Sequence, residues 1–197
     1  GPAITGTVSA PEDTTLPAAV TVAVVDLMFD EGPAVGFTLA SAAVSADGSF
    51  SIPLPDEPLS TAIYELVETR NINGATHFLI AFEDQNGNAA FEEGEPLLGA
   101  PFEHMVVYLE DSKEVSAYGW SAGWSMVDSG MAGSYESGNC LLDTDNPLTW
   151  RDYAGYPVFS EIGAAPISIP LNGLPASLTM SGTAVDFERL GVFAYQE

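Results

Sequence analysis

Along this chain apolar residues alternate with polar ones or gather in short β-branched runs, and Gly, Pro, Asn and Asp bound nearly every run. This texture predicts strands over residues 4–9, 20–29, 35–44, 49–54, 62–68, 77–83 and 105–110, and again over 167–171, 177–180, 183–187 and 190–195. Seven strands in about 110 residues is the density of a β-sandwich. Asp47-Gly48 and Asn73-Gly74 favour the positive φ of hairpin turns, so each is expected to link two strands, as are Asn172-Gly173 and Ser181-Gly182. No stretch keeps a 3.6-residue amphipathic period for three turns, so helix should be scarce.

The 197 residues are enough for one large β-domain or two small ones. The expected architecture is all-β, an antiparallel β-sandwich occupying residues 1–197 as a single domain. Residues 112–160 form a long aromatic- and Gly-rich insertion within it, laid over one face or end, and the last strands complete the sheets. That insertion holds Trp120, Trp124 and Trp150 together with Tyr118, Tyr135, Tyr153 and Tyr156. The alternative is a sandwich over 1–111 followed by a second small β-domain over 112–197.

Composition supports a folded chain, because disorder needs few apolar residues as well as high charge, and 46% of this sequence is hydrophobic. Four cations, Arg70, Lys113, Arg151 and Arg189, face 28 Asp and Glu, for a formal charge of −24. Such a surface repels phosphate backbones and anionic lipid, which excludes nucleic acid as a partner, and it attracts cations. The single Cys140 leaves no internal disulfide. No apolar run reaches the roughly 18 residues of a membrane span, so no transmembrane segment is expected. Gly1-Pro2 reads as the remnant of a cleaved tag, with the natural segment starting near Ala3.

The densest chemistry lies in Asp84-Gln85-Asn86-Gly87-Asn88-Ala89-Ala90-Phe91-Glu92-Glu93-Gly94-Glu95. Counted from Asp84, oxygen-bearing side chains fall at positions 1, 3, 5, 9 and 12, the ligand spacing of a twelve-residue calcium loop. Asp84, Asn86 and Asn88 would each give one oxygen, Ala90 its carbonyl and Glu95 both carboxylate oxygens, with Glu92 or water in the last place. Phe91, at position 8, is expected to pin the loop to the core. The glycine usual at position 6 is replaced by Ala89, and Gly87 stands at position 4, so a different turn geometry is expected. The competing reading is a polar turn whose Asn and Asp side chains cap its own amides. If the loop binds Ca²⁺, so few charged ligands imply a Kd of about 10⁻⁴ to 10⁻³ M.

The first half also carries a family likeness. Gly6-Thr7-Val8, the run Val20-Thr21-Val22-Ala23-Val24-Val25, and Asp47-Gly48-Ser49-Phe50-Ser51-Ile52-Pro53-Leu54-Pro55 together resemble transthyretin-like, carboxypeptidase-regulatory-type β-sandwich modules. Phe78 to Asp84 and the loop after it are similar to a strand-loop pattern of secreted bacterial surface proteins and lipoproteins, in which the loop binds calcium. The resemblance spans residues 3–110. It implies a scaffolding or binding module, extracellular or on the outer cell surface and in some cases lipid-anchored, with calcium as a partner; the aromatic run from Tyr118 to Tyr156 adds a glycan or another surface protein as a candidate partner.

Other motifs point to other chemistry. Gly119-Trp120-Ser121-Ala122-Gly123 matches the nucleophile elbow of serine hydrolases, but the triad order needs a histidine after the serine, and His77 and His104 both precede Ser121. An enzyme is therefore not expected. His77, His104, Met105 and Cys140 lack the spacing of a blue-copper site, which has a His and a Met just after the Cys. Asp143, Asp145 and Asn146 form a candidate second cation site, and Asp26, Asp30 and Glu31 a further acidic knot. Trp120, Trp124 and Trp150 are the candidate platform for a carbohydrate ligand, since flat aromatic faces stack on sugars; the competing role is packing beneath the long insertion.

Overall fold

The structure, a computed structural model, describes residues 1–11, 14–28, 34–67, 71–92, 94–100, 104–128 and 159–171. Asp30, Glu31, Glu93, Cys140, Asp143, Asp145, Asn146, Trp150 and the strands expected after residue 172 lie outside them.

The apolar run Phe78-Leu79-Ile80-Ala81-Phe82 is too continuous for a strand with one wet face, and it forms the second half of a central strand of the larger sheet. The chain enters through β1 (Ala3–Ser9), β2 (Val20–Met28), β3 (Ala34–Ala43) and β4 (Ser49–Pro53). A single 3-10 turn at Ser60–Ala62 leads to β5 (Tyr64–Val67) and the twelve-residue β6 (Ile72–Glu83). Then come β7 (Leu97–Gly99), β8 (His104–Leu109), the short helix α1 (Lys113–Ala117), β9 (Gly123–Asp128), β10 (Phe159–Glu161) and β11 (Ile167–Pro170).

Two sheets result. The smaller has the order β11-β1-β4, with β4 antiparallel and β11 parallel to β1. Its strands alternate cleanly: Ile4, Val8, Phe50, Ile52, Ile167 and Ile169 are buried, while Thr5, Thr7, Ser51 and Ser168 face outward. The larger sheet runs β10-β9-β8-β6-β2-β3 and is antiparallel throughout, with β5 and β7 also paired to β6. The length of β6 permits four neighbours. Phe78 pairs with Val25 on one side and Met105 on the other, so β2 and β8 occupy opposite edges; Gly74, shared by β5 and β8, divides them likewise.

Both faces of β6 are covered. Leu79 and Ala81 join Val22, Val24, Val106 and Met126 against the inner residues of the three-stranded sheet, which makes the fold a sandwich. Phe78, Ile80 and Phe82 face the other way, with Val25, Val107, Leu109 and Val127, and Val115 of α1 packs on them. Ser112 starts α1 by accepting a hydrogen bond from the Val115 N–H at 3.2 Å.

The expected all-β sandwich is the observed one, and the first seven predicted strands match β1 to β6 and β8. Three details differ. Asn73-Gly74 is not a turn but lies inside β6. Glycine is needed at 74 because a Cβ there would sit 2.1 Å from the Tyr108 carbonyl oxygen and 2.5 Å from Leu66. The start of the expected insertion is regular structure, since α1 and β9 fall within 112–160 and β9 pairs with β8 along its whole length. Strands from both sides of Asp111 therefore share both sheets. Finally, β7 arises from Leu97-Leu98-Gly99, too short a run to be read as a strand in advance. Asp47-Gly48 is a turn with φ of 85° at Gly48, but it carries the chain from β3 in one sheet to β4 in the other and closes no hairpin; the Ser49 N–H and hydroxyl both donate to Asp47 Oδ1, which holds that carboxyl below the usual range.

Candidate metal centre

Loop 84–95 joins β6 to β7, and its neck is closed by the Glu83 N–H donating to the Pro96 carbonyl at 2.9 Å. Inside it, short oxygen-bearing side chains take up the backbone amides that follow them. Asp84 Oδ1 accepts from the Gly87 N–H at 2.7 Å and its Oδ2 from the Ala89 N–H at 2.9 Å. Asn86 Oδ1 accepts from the Asn88 N–H at 2.9 Å, and Asn88 Oδ1 from the Ala90 N–H at 2.8 Å. Asn86 and Asn88 do this because an Asn side chain mimics a backbone carbonyl toward the amide two residues on, while the two Asp84 oxygens reach amides three and five residues on. Ala89 takes a left-handed φ of 59°. Position 6 of a calcium loop needs that kind of sharp turn, so the missing glycine leaves the turn in place and adds strain of about 1–2 kcal/mol. Gly87, at position 4, also takes a positive φ, of 75°.

Glu95, only 6% exposed, fixes the loop from its far end. Its Oε1 accepts from the Gln85 N–H at 3.0 Å and its Oε2 from the Glu92 N–H at 2.9 Å, so position 12 ties positions 2 and 9 together. The exposed Glu92 carboxylate receives Asn86 Nδ2 at 2.9 Å and Asn88 Nδ2 at 2.8 Å. Positions 3, 5 and 9 thus converge within hydrogen-bond distance. Phe91 packs on the core as its position predicts, with its ring 5.3 Å from that of Phe82 at 75°. Two hydroxyls of β3 complete the mounting: Ser41 Oγ donates to the Ala89 carbonyl at 2.6 Å, and the Phe91 N–H donates to Thr38 Oγ1 at 3.0 Å. Nothing in the sequence marked Thr38 or Ser41, because they lie about fifty residues before the loop and meet it only through sheet pairing.

The donors are all hard oxygens, which suits Ca²⁺ better than a softer metal. Among the described residues, the Gly1 amino group pairs with Asp56 and Lys113 with Glu114, and neither cation belongs to an ion pair with the loop. Among the same residues no three His, Cys, Asp or Glu are gathered into a ligand cluster. Carboxylates alone therefore do not make this a centre. Calcium would depend on the amide oxygens of Asn86 and Asn88 and the Ala90 carbonyl, and would replace the two Asn–Glu92 bonds.

The candidate platform is divided. Trp120 stacks on Tyr118 at 4.8 Å and packs on the core that includes Phe82, whereas Trp124 packs on the core between the sheets and donates from Nε1 to the Pro55 carbonyl at 2.8 Å. Trp150 lies outside the described residues. Ser121 is exposed, and the chain after it becomes β9 instead of the helix a nucleophile elbow requires. His77 and Met105 belong to opposite faces of the larger sheet, since His77 pairs with Val106 and Phe78 with Met105. His104 lines a cavity of about 100 Å³ with Met126, Ser160, Glu161 and Ile167, room for a few waters.

The ring of His77 is fully buried and neither of its nitrogens has a hydrogen-bond partner. Its ring lies 5.6 Å from that of Trp124, and burial lowers its pKa to about 4.

Comparison with known proteins returns no match: no family model, no curated protein and no solved structure matches this chain.

Proposed function

We propose that this chain is an exported bacterial β-sandwich module, working outside the cell or on its outer surface in a structural or ligand-holding role, whose loop 84–95 is stabilised by a bound calcium ion. The observation that carries the reading is the combination of the oxygen series at positions 1, 3, 5, 9 and 12 with an alanine held left-handed at position 6. Strain at that alanine is the local cost of keeping the turn. The net charge of −24 supports it too, because a calcium-bearing medium neutralises such a surface. The family likeness over residues 3–110 supplies the surface setting. Among the described residues no helix is long and apolar enough to cross a membrane. Melting in calcium and in EDTA tests the metal. A ligand that binds only the folded state adds about 2.7 kcal/mol at a hundredfold excess over its Kd, so calcium should raise the Tm measurably. An identical Tm in both refutes the calcium reading.

A further inference from the structure

We propose that Thr38 and Ser41 of strand β3 are positioning residues that set the calcium affinity of loop 84–95 by holding the Ala90 carbonyl toward the ion; this inference rests on the calcium reading above. The argument begins with sheet register. Val24 pairs with Ala40 and Val25 with Thr38, so Leu39 is an extra residue in β3, a β-bulge. Without the bulge, residues three apart in a strand would point to opposite faces. With it, Thr38 opposite Val25 and Ser41 opposite Ala23 share the face whose core includes Ala23, Val25 and Phe82. This is the face on which Phe91 seats the loop.

The two hydroxyls grip consecutive peptide groups. In the peptide joining Ala89 to Ala90, Ser41 donates to the carbonyl oxygen and Asn88 Oδ1 accepts from the N–H, so its orientation is fixed from both ends. In the next peptide, the Phe91 N–H donates to Thr38 Oγ1. A planar trans peptide directs its C=O opposite to its N–H, so the Ala90 carbonyl is turned away from β3. Position 7 is where a calcium loop supplies a backbone carbonyl. Of two neighbouring carbonyls, the strand captures Ala89 and leaves Ala90 to the ion. Coupling is reciprocal, so bound calcium must in turn steady β3, the last strand in the order β10-β9-β8-β6-β2-β3 among the described residues.

Calcium titration by calorimetry on the whole chain, for the wild type, Thr38→Val, Ser41→Ala and the hydroxyl-retaining Thr38→Ser, tests this. Thr38→Val and Ser41→Ala should each weaken calcium about fivefold to tenfold, the worth of one net hydrogen bond. Thr38→Ser should bind within about twofold of the wild type. Melting in EDTA separates the role from simple packing, since the losses in affinity should persist in variants whose calcium-free Tm is close to the wild type's. Hydrogen exchange of the β3 amides should slow with calcium in the wild type and less so in Thr38→Val. Wild-type affinity in both hydroxyl-deleted variants overturns the positioning role while leaving the calcium reading intact. Failure of the wild type itself to bind calcium overturns both.

Discussion

His77 supplies the sharpest quantitative prediction, because one substitution separates its contribution from that of 28 acidic residues. The ring is fully buried with two unbonded nitrogens, and its pKa falls from 6.5 to about 4 through loss of hydration. The unfolded chain takes up a proton near pH 6.5 and the folded one resists until about pH 4. Stability from this residue is therefore complete above pH 6.5, declines as the pH falls from 6.5 to 4, and is flat below. At about 1.4 kcal/mol per pH unit the full decline is about 3 kcal/mol. In His77→Leu the carboxylates titrate as before, so urea midpoints measured in parallel for both proteins from pH 7.5 to 4 cancel them in the difference. At pH 7.5 the variant should lie within about 1 kcal/mol of the wild type, since losing the Trp124 ring contact is offset by removing two unsatisfied polar atoms. By pH 4 the variant should lead by about 3 kcal/mol more. A difference that stays constant with pH refutes the claim that His77 is buried without a partner.

Ala89→Gly should relieve the left-handed strain at position 6, stabilising the protein by up to about 1 kcal/mol and tightening calcium, as read from the urea midpoint and a calcium titration. Gly74→Ala should cost more than about 3 kcal/mol or prevent folding, because the added methyl meets the Tyr108 carbonyl in β8; circular dichroism and a melt will show it. Glu95→Gln keeps the side chain's shape while removing the charge that accepts two part-buried N–H bonds, so it should lower stability in EDTA by about 1–2 kcal/mol and weaken calcium at least tenfold, against a smaller effect for the exposed Glu92→Gln.

Much of the fold was legible because period-two alternation reports a half-buried strand directly: β1, β4 and β11 read as Ile4/Val8, Phe50/Ile52 and Ile167/Ile169 set between polar neighbours. The apolar run of β6 was equally plain. Asn73-Gly74 misled because the same dipeptide serves a turn through positive φ or a close crossing through its missing Cβ, and only the position of Tyr108 decides which. Of the candidate site, the spacing of oxygen-bearing side chains and the seat of Phe91 were visible, being local to one loop. The grip of Thr38 and Ser41 was not, since it depends on a bulge in a strand distant in sequence. Nor was the isolation of His77, for a histidine in an apolar strand carries no mark of whether a partner awaits it.

The occupancy of loop 84–95 in a crystal grown in saturating Ca²⁺, with anomalous scattering to identify the ion, bears most directly on the whole interpretation. The expected result is one anomalous peak inside the loop, with about six to eight oxygens at ~2.3–2.6 Å that include Asp84, Asn86, Asn88, the Ala90 carbonyl and Glu95. A loop found without the ion, its Asn86 and Asn88 amides still bonded to Glu92, would contradict it.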